Sequence, residues 1–537
     1  MPSKDIYKTF TYQSRLHLEE PSANALEDVA ELLSRIERHL FADLAAGKKA
    51  SDLKSKYLAK YRITARHFNA LRVQLEGRVA SSRERQKGLI SETEQKIDSI
   101  KKRLKSLKSR PDKLHQKKRS LHKLERKLEG LQADQKAGKI RLCFGSKKLF
   151  NAQFALEENG YLSHQEWQND WQKSRSDSFF LLGSKDESGG NQSCTASLEA
   201  DGNITLRVRL PDSLASSHGK YLTLTGIHFE YGHDNIVKAL KSCEERKRLL
   251  AHNDPSGAAQ GQPISYRFKR DEKGWRLFAT VPVEKAPSAT SSKQGVIGVD
   301  INANHLAISE TDRFGNPIAK QSIPLNTYGK TRDQAQALIG EVSASLVAYA
   351  KQAGKDLVIE ELDFQKKKAE LKETASPKCA RMLSSLSYSS IKSSLQSRAW
   401  REGVGVHEVN PAFTSLIGRV KFANRYGLSI HHAAALTIGR RSVKASERVP
   451  RHLDKIPDGK GGHVALSLPV RNRDKHVWST WRVLNRQFKT VRVAHSRART
   501  QSRSSSSKPA PATETIPRDA GGIPAREFVN TTARLAC

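Results

Sequence analysis

Two carboxylates in the C-terminal half stand where metal-assisted chemistry would need them. Asp300 closes the apolar run Val296-Ile297-Gly298-Val299, and Glu360 closes a second, Leu357-Val358-Ile359. Acidic groups at the ends of neighbouring strands supply the hard oxygen donors that Mg2+ or Mn2+ prefers. A pair of such cations about 4 Å apart clamps the attacking and leaving oxygens of an in-line displacement at phosphorus. Two cations need several carboxylates, because their charge must be neutralised locally. Taken singly, Asp300 also suits a turn and Glu360 a solvated strand end. Their order along the chain is what joins them.

The elements that must hold these residues can be read around them. Residues 295–308, GVIGVDINANHLAI, predict a strand, a tight polar turn and a second strand, and a third strand follows the turn Arg313-Phe314-Gly315. A helix is predicted over 332–352 and then a buried strand over 356–361. Three meandering strands, a helix and a strand form the ribonuclease H-like arrangement, in which acids at strand ends meet at one site.

At this level the sequence resembles a known family. The strand GVIGVDIN, the strand VIEELDF and the block VHEVNPAFTSLIGRVKFANRYGLSIHHAAALTIGRR are similar to the three RuvC motifs of TnpB, the transposon-encoded ancestor of type V CRISPR effectors. The resemblance implies an RNA-guided DNA endonuclease working by metal-dependent phosphodiester hydrolysis, with a noncoding guide RNA and target DNA as partners. It maps Asp300 and Glu360 onto the first two acidic positions, with Glu361 the alternative if the register slips by one, since a slip sends the side chain to the other face. At the third position, where the family carries aspartate, this chain has His431, with His432 beside it. Neutral imidazole suits Mn2+ better than Mg2+ and can carry a proton, but it adds no negative charge, so weakened metal binding is expected. The run Ala433-Ala434-Ala435 fits a helix packed closely on the sheet, which would bring His431 to the strand ends. His407 and Glu408 are secondary candidates. The family's Pro-x-x-Thr-Ser element leads into a four-cysteine zinc ribbon, whereas Pro411-Ala412-Phe413-Thr414-Ser415 is followed by no cysteine. No structural zinc is therefore expected, and the resemblance is nearest the TnpB-related accessory subset. Two other readings stay open: a nuclease-inactive RNA-guided DNA-binding protein, and a conventional transposase or structure-selective nuclease.

Composition agrees with a nucleic-acid partner. There are 93 Lys and Arg against 56 Asp and Glu, a net charge of +37 and a pI of about 10.0, and that excess is spread along the whole chain rather than on one amphipathic segment. The five cysteines, Cys143, Cys194, Cys243, Cys379 and Cys537, are scattered and form no Cys-x-x-Cys pair. No apolar run approaches the roughly 20 residues that cross a bilayer, so a cytoplasmic, nucleoid-associated protein without a membrane partner is expected. Ile90, Ile97 and Leu104, then Leu114, Leu121 and Leu128, repeat at heptad spacing on either side of Pro111, predicting a helical hairpin. Its outer faces carry Lys101, Lys102, Arg103, Lys105, Lys117, Lys118 and Arg119, a candidate phosphate-tracking surface. The expected organisation is multidomain α+β. A β-barrel wedge-like domain (1–20 and 140–285) is interrupted by a helical recognition lobe (21–139). A linker (286–294), a RuvC-like RNase H-fold domain (295–495) and a disordered basic tail (496–537) follow.

Overall fold

The computed structural model describes residues 6–106, 111–258, 261–362, 388–453, 455–457, 462–470 and 474–505. Seven strands form the N-terminal half: β1 (Tyr7–Arg15), β2 (Ser178–Leu181), β3 (Cys194–Leu198), β4 (Ile204–Arg209), β5 (Tyr221–Ile227), β6 (Ser265–Asp271) and β7 (Gly274–Glu284). Strict alternation makes β7 a strand, because Trp275, Leu277, Ala279, Val281 and Val283 all face inward. The strands do not close into the expected barrel. They form two open antiparallel sheets, ordered β1-β7-β6-β2 and β3-β4-β5. The helix His233–Ala251 enters the chain between β5 and β6 and packs against both β3 and β7, so the sheets share a core through side chains instead of pairing edges.

The helical segment is less separate than expected. In the helix Glu20–Ala45, Leu26, Val29, Leu33, Ile36 and Leu40 are buried on one face, in the same core as Phe179, Tyr266 and Phe268 of the sheet. A helix with a broad apolar stripe must cover it, and the sheet is the nearest apolar surface. The helices Ala50–Tyr61 and Ala65–Ser106 join this core through Leu53, Tyr57, Phe68, Leu71 and Leu75. Beyond it, the second half of Ala65–Ser106 pairs with the helix Pro111–Lys136 as the predicted hairpin.

The C-terminal half is built on β8 (Val296–Ile301), β9 (His305–Thr311), β10 (Pro317–Pro324), β11 (Asp356–Glu360) and β12 (Val406–Val409), in the order β10-β9-β8-β11-β12. The first three are antiparallel neighbours, whereas β11 runs parallel to both β8 and β12. Parallel neighbours require crossovers, here the helices Arg332–Ala353 and Tyr388–Glu402. The first begins at a capping box between Thr331 and Gln334 and ends at Gly354, whose φ of 64° closes the helix in the left-handed region. Both helices pack on the face that presents Ile297, Val299, Leu357 and Ile359. The helix Ile430–Ser442 packs on the other face, with Ile438 against Val296 and Val358.

Around the far side of that last helix, Leu416, Ile417, Phe422, Leu436, Leu484 and Phe488 gather about the fully buried Trp481. The helix Trp478–Ser505 thus docks through the apolar face formed by Trp481, Leu484 and Phe488. Its backbone runs past 496, where the tail was expected to begin; the rest of that tail, residues 506–537, and the link 107–110 of the hairpin lie outside the described residues. The segment 286–294 is tied down: Ala286 and Ala289 donate their N–H groups to the carbonyls of Trp400 and Gly403, at 3.2 and 2.8 Å. No helix among the described residues is long and apolar enough to cross a membrane.

Candidate active site

Sheet register brings the two carboxylates together. β8 and β11 pair in parallel with Asp356 opposite Val296, Leu357 opposite Ile297 and Val358 opposite Gly298. Asp300 and Glu360 each lie two residues beyond the last of these pairs, toward the ends of their strands. Val296 and Val358 face the helix Ile430–Ser442, and alternation turns Asp300 and Glu360 to that same face. Gly298 makes the approach close: a Cβ there would lie 2.0 Å from the Ala435 carbonyl oxygen. Only a glycine lets the helix backbone rest on the strand at this point.

That helix delivers His431. Its N-cap is Ser429, whose hydroxyl accepts from the His432 N–H at 3.2 Å. One residue into the helix, His431 directs Nδ1 at Asp300 Oδ2, 3.1 Å away. Asn302 Nδ2 donates to the same oxygen at 3.0 Å. The Asp300 side chain is 13% exposed and that of His431 48%, so a nearly buried carboxylate orients a ring that is itself half exposed. His305, at the start of β9, meets the His431 ring edge to face with centroids 5.0 Å apart. Burial and then the neighbouring His431 charge push the His305 pKa below its ordinary value, against the pull of Asp300.

Glu360 is held by different partners. Thr414 donates its hydroxyl to Glu360 Oε1, and the Tyr388 hydroxyl donates to the Glu360 carbonyl. Burial raises the Tyr388 pKa, and the charges of Glu360, Glu408 and Asp300 raise it further, so one phenol senses all three carboxylates. Neither Tyr388 nor Thr414 was singled out from the sequence as a site residue. Thr414 carried a signal, since it belongs to the Pro-x-x-Thr-Ser element; Tyr388, His305 and Asn302 carried none beyond nearness to a motif.

The remaining candidates fall elsewhere. Glu361 is exposed, lies past the end of β11 and spends its N–H on the Val409 carbonyl, so alternation turns it from the site and Glu360 takes the register. His432 is a fastener: its Nε2 donates to the Gln321 carbonyl at 3.0 Å and its Nδ1 meets the Ser429 hydroxyl at 2.8 Å, tying the helix to β10. His407 bonds Asp356 at 2.9 Å near the opposite end of β11. Glu408 pairs with Lys392 and Gln396 on the other face of the sheet. Of the basic residues on the hairpin, Lys101 bonds Glu125 across the two helices at 3.1 Å. Lys102, Arg103, Lys118 and Arg119 are exposed and Lys117 is half-buried, while Lys105 lies in the helix Ala65–Ser106. All stand apart from the sheet site.

Among the described residues no group of three or more His, Cys, Asp or Glu side chains converges as a metal cage. The donor set still suits a hard cation that takes one or two carboxylates from the protein and completes its shell with phosphate oxygens and water, as Mg2+ usually does. Two carboxylates balance the charge of one divalent ion, not of two.

No family model matches the chain, and no curated protein matches it. Weak similarity is found to solved structures. A cryo-EM structure of a CRISPR-Cas12f ternary complex is 11% identical, covers 82% of this chain and 100% of its own, and superposes with a TM-score of 0.19. A crystal structure of the Cas12i1 R-loop complex before target DNA cleavage is 8% identical over 48% of this chain and 32% of its own, with a TM-score of 0.15. Scores of this size do not establish a shared arrangement, so the functional reading rests on the residues.

Proposed function

We propose that this protein is an RNA-guided DNA nuclease with a ribonuclease H-like core, of the transposon-encoded kind its motifs resemble. The observation that carries the reading is the sheet order β10-β9-β8-β11-β12 with Asp300 and Glu360 on one face beneath the helix that presents His431. Asp300 and Glu360 would hold Mg2+ or Mn2+, which when bound polarises the scissile phosphodiester and activates water. His431, oriented through Nδ1 by Asp300, presents Nε2 to carry a proton to or from the reacting oxygens. Thr414 and Asn302 fix the two carboxylates in place. The net charge of +37 holds the guide and target backbones, while base pairing supplies specificity.

A second reading, a guided DNA binder that does not cut, is favoured by the direct His431 to Asp300 bond. That bond spends an oxygen of the first carboxylate and leaves the third acidic position neutral or positive.

Sequencing the RNA that co-purifies after a high-salt wash, followed by cleavage assays in Mn2+, tests both. A discrete transcript with a structured scaffold and a variable end, together with cleavage lost in Asp300→Ala, is the expected result. Cleavage undiminished in Asp300→Ala overturns the nuclease site, a discrete RNA without cleavage selects the binder, and a smear of unrelated RNA removes guidance altogether.

A further inference from the structure

The sheet β3-β4-β5 buries one face, where Cys194, Ile204, Leu206, Val208, Leu224 and Ile227 enter the core. Its other face is open to solvent. Register pairs Arg207 with both Thr195 and Thr223, and Arg209 with Tyr221, so these side chains stand beside one another on the outward face. Tyr221 is 41% exposed. Arg207 lies over it at 3.8 Å from the centroid, with Arg209 at 5.5 Å and Lys220 at 5.9 Å.

Three cations around one ring repel each other, and only Arg209 is compensated, by Asp212. Among the described residues no carboxylate pairs with Arg207 or Lys220. The patch therefore combines an exposed ring, a guanidinium stacked on it with donors to spare, and threonine hydroxyls on a rigid backing. Those are the parts that grip an unpaired nucleotide: a π-face for the base, cations for the phosphates. A duplex hides its base faces and would leave the ring unused.

We propose that this face binds a single-stranded segment of nucleic acid, one base stacked on Tyr221 and the adjoining phosphates held by Arg207 and Lys220. The proposal rests on the nucleic-acid-binding reading above and adds the place and the strandedness.

The full chain is titrated by fluorescence anisotropy with a labelled oligouridine, an oligodeoxythymidine of equal length and a blunt DNA duplex, in about 0.3 M salt to weaken loosely held phosphate contacts. Tyr221→Ala should weaken both single strands, or either one, about tenfold and leave the duplex unchanged; Tyr221→Phe should bind as wild type, because stacking uses the ring and not the hydroxyl. Arg207→Ala should weaken single-strand binding and lower the salt slope by about one. Wild-type binding that Tyr221→Ala leaves intact overturns this proposal alone, and failure of the wild type to bind any strand overturns it together with the broader reading. A Tyr221-dependent preference for a polyglutamate peptide over the strands also overturns it, in favour of a protein partner.

Discussion

Replacing His431 by aspartate asks whether the imidazole occupies a ligand position. The bond it gives up, 3.1 Å from Nδ1 to a carboxylate that is 13% exposed, belongs to a class that contributes about 1.5 to 3 kcal/mol. The ring itself is 48% exposed, which favours the lower figure. The new carboxylate also faces Asp300. Two unit charges roughly 4 Å apart at an effective dielectric of about 20 repel by about 4 kcal/mol, and solvent at this half-open position cuts that to roughly 1 to 2 kcal/mol. His431→Asp in EDTA should therefore be destabilised by about 3 kcal/mol, or roughly 6 °C in the melting transition of a unit of about 200 residues. An ion at a hundred times its Kd returns about 2.7 kcal/mol, so saturating Mn2+ should recover most of the loss. The wild type, with one ligand position neutral, should gain far less. Scanning fluorimetry of both proteins with EDTA and with an Mn2+ series gives the comparison, and Mn2+-dependent cleavage should rise in the variant. Equal Mn2+ shifts in the two proteins, or a variant as stable as wild type in EDTA, would refute the placement of His431 at a metal-ligand position.

Three further perturbations address how the site and core are held. A Cβ at Gly298 would lie 2.0 Å from the Ala435 carbonyl oxygen and 2.7 Å from the Gly439 nitrogen, so Gly298→Ala should push the helix off the sheet, cost about 3 kcal/mol by urea unfolding and abolish any Asp300-dependent cleavage. Gly340→Ala, on a helix where nothing lies within 4 Å, should be neutral or slightly stabilising. His67 is buried, takes a bond from Thr64 at Nδ1 and donates Nε2 to the Arg209 carbonyl at 3.1 Å, and burial holds its pKa down to about 4 against an ordinary 6.5. The unfolded chain thus takes up that proton first. The contribution is complete above pH 6.5 and is lost as pH falls toward 4, about 2 to 3 kcal/mol by pH 4.5. Urea midpoints at pH 7 and pH 4.5 should show a smaller acid-side loss in His67→Gln than in wild type, and identical losses would exclude His67 as a source.

Local pattern carried much of the candidate site. The runs ending at Asp300 and Glu360 were legible because strand length, apolar content and the flanking turns are properties of short segments. The helix predicted over 332–352 was legible for the same reason, its caps being a threonine and a glycine at its own ends. The partners of those carboxylates were not. Thr414 and Glu360 are 54 residues apart, and His431 and Asp300 131; contacts of that separation leave no periodicity behind them. The expected barrel does not form for a similar reason: a strand's alternation shows which face is buried but not which edge it pairs with.

Sequence by itself determined the charge of the molecule, the kinds of element and the two acids at strand ends, because each is written in residue type or in spacing along one segment; that His431 stands where a third acid was expected came only from the resemblance of the motifs. Tertiary structure decided that Glu360 and not Glu361 lies on the sheet face that carries Asp300, that His431 and not His432 reaches Asp300, and that Gly298 lets the helix come close enough for this to matter. Those choices depend on sheet register and on backbone approach between segments distant in the chain, where a shift of one residue reverses the face a side chain presents.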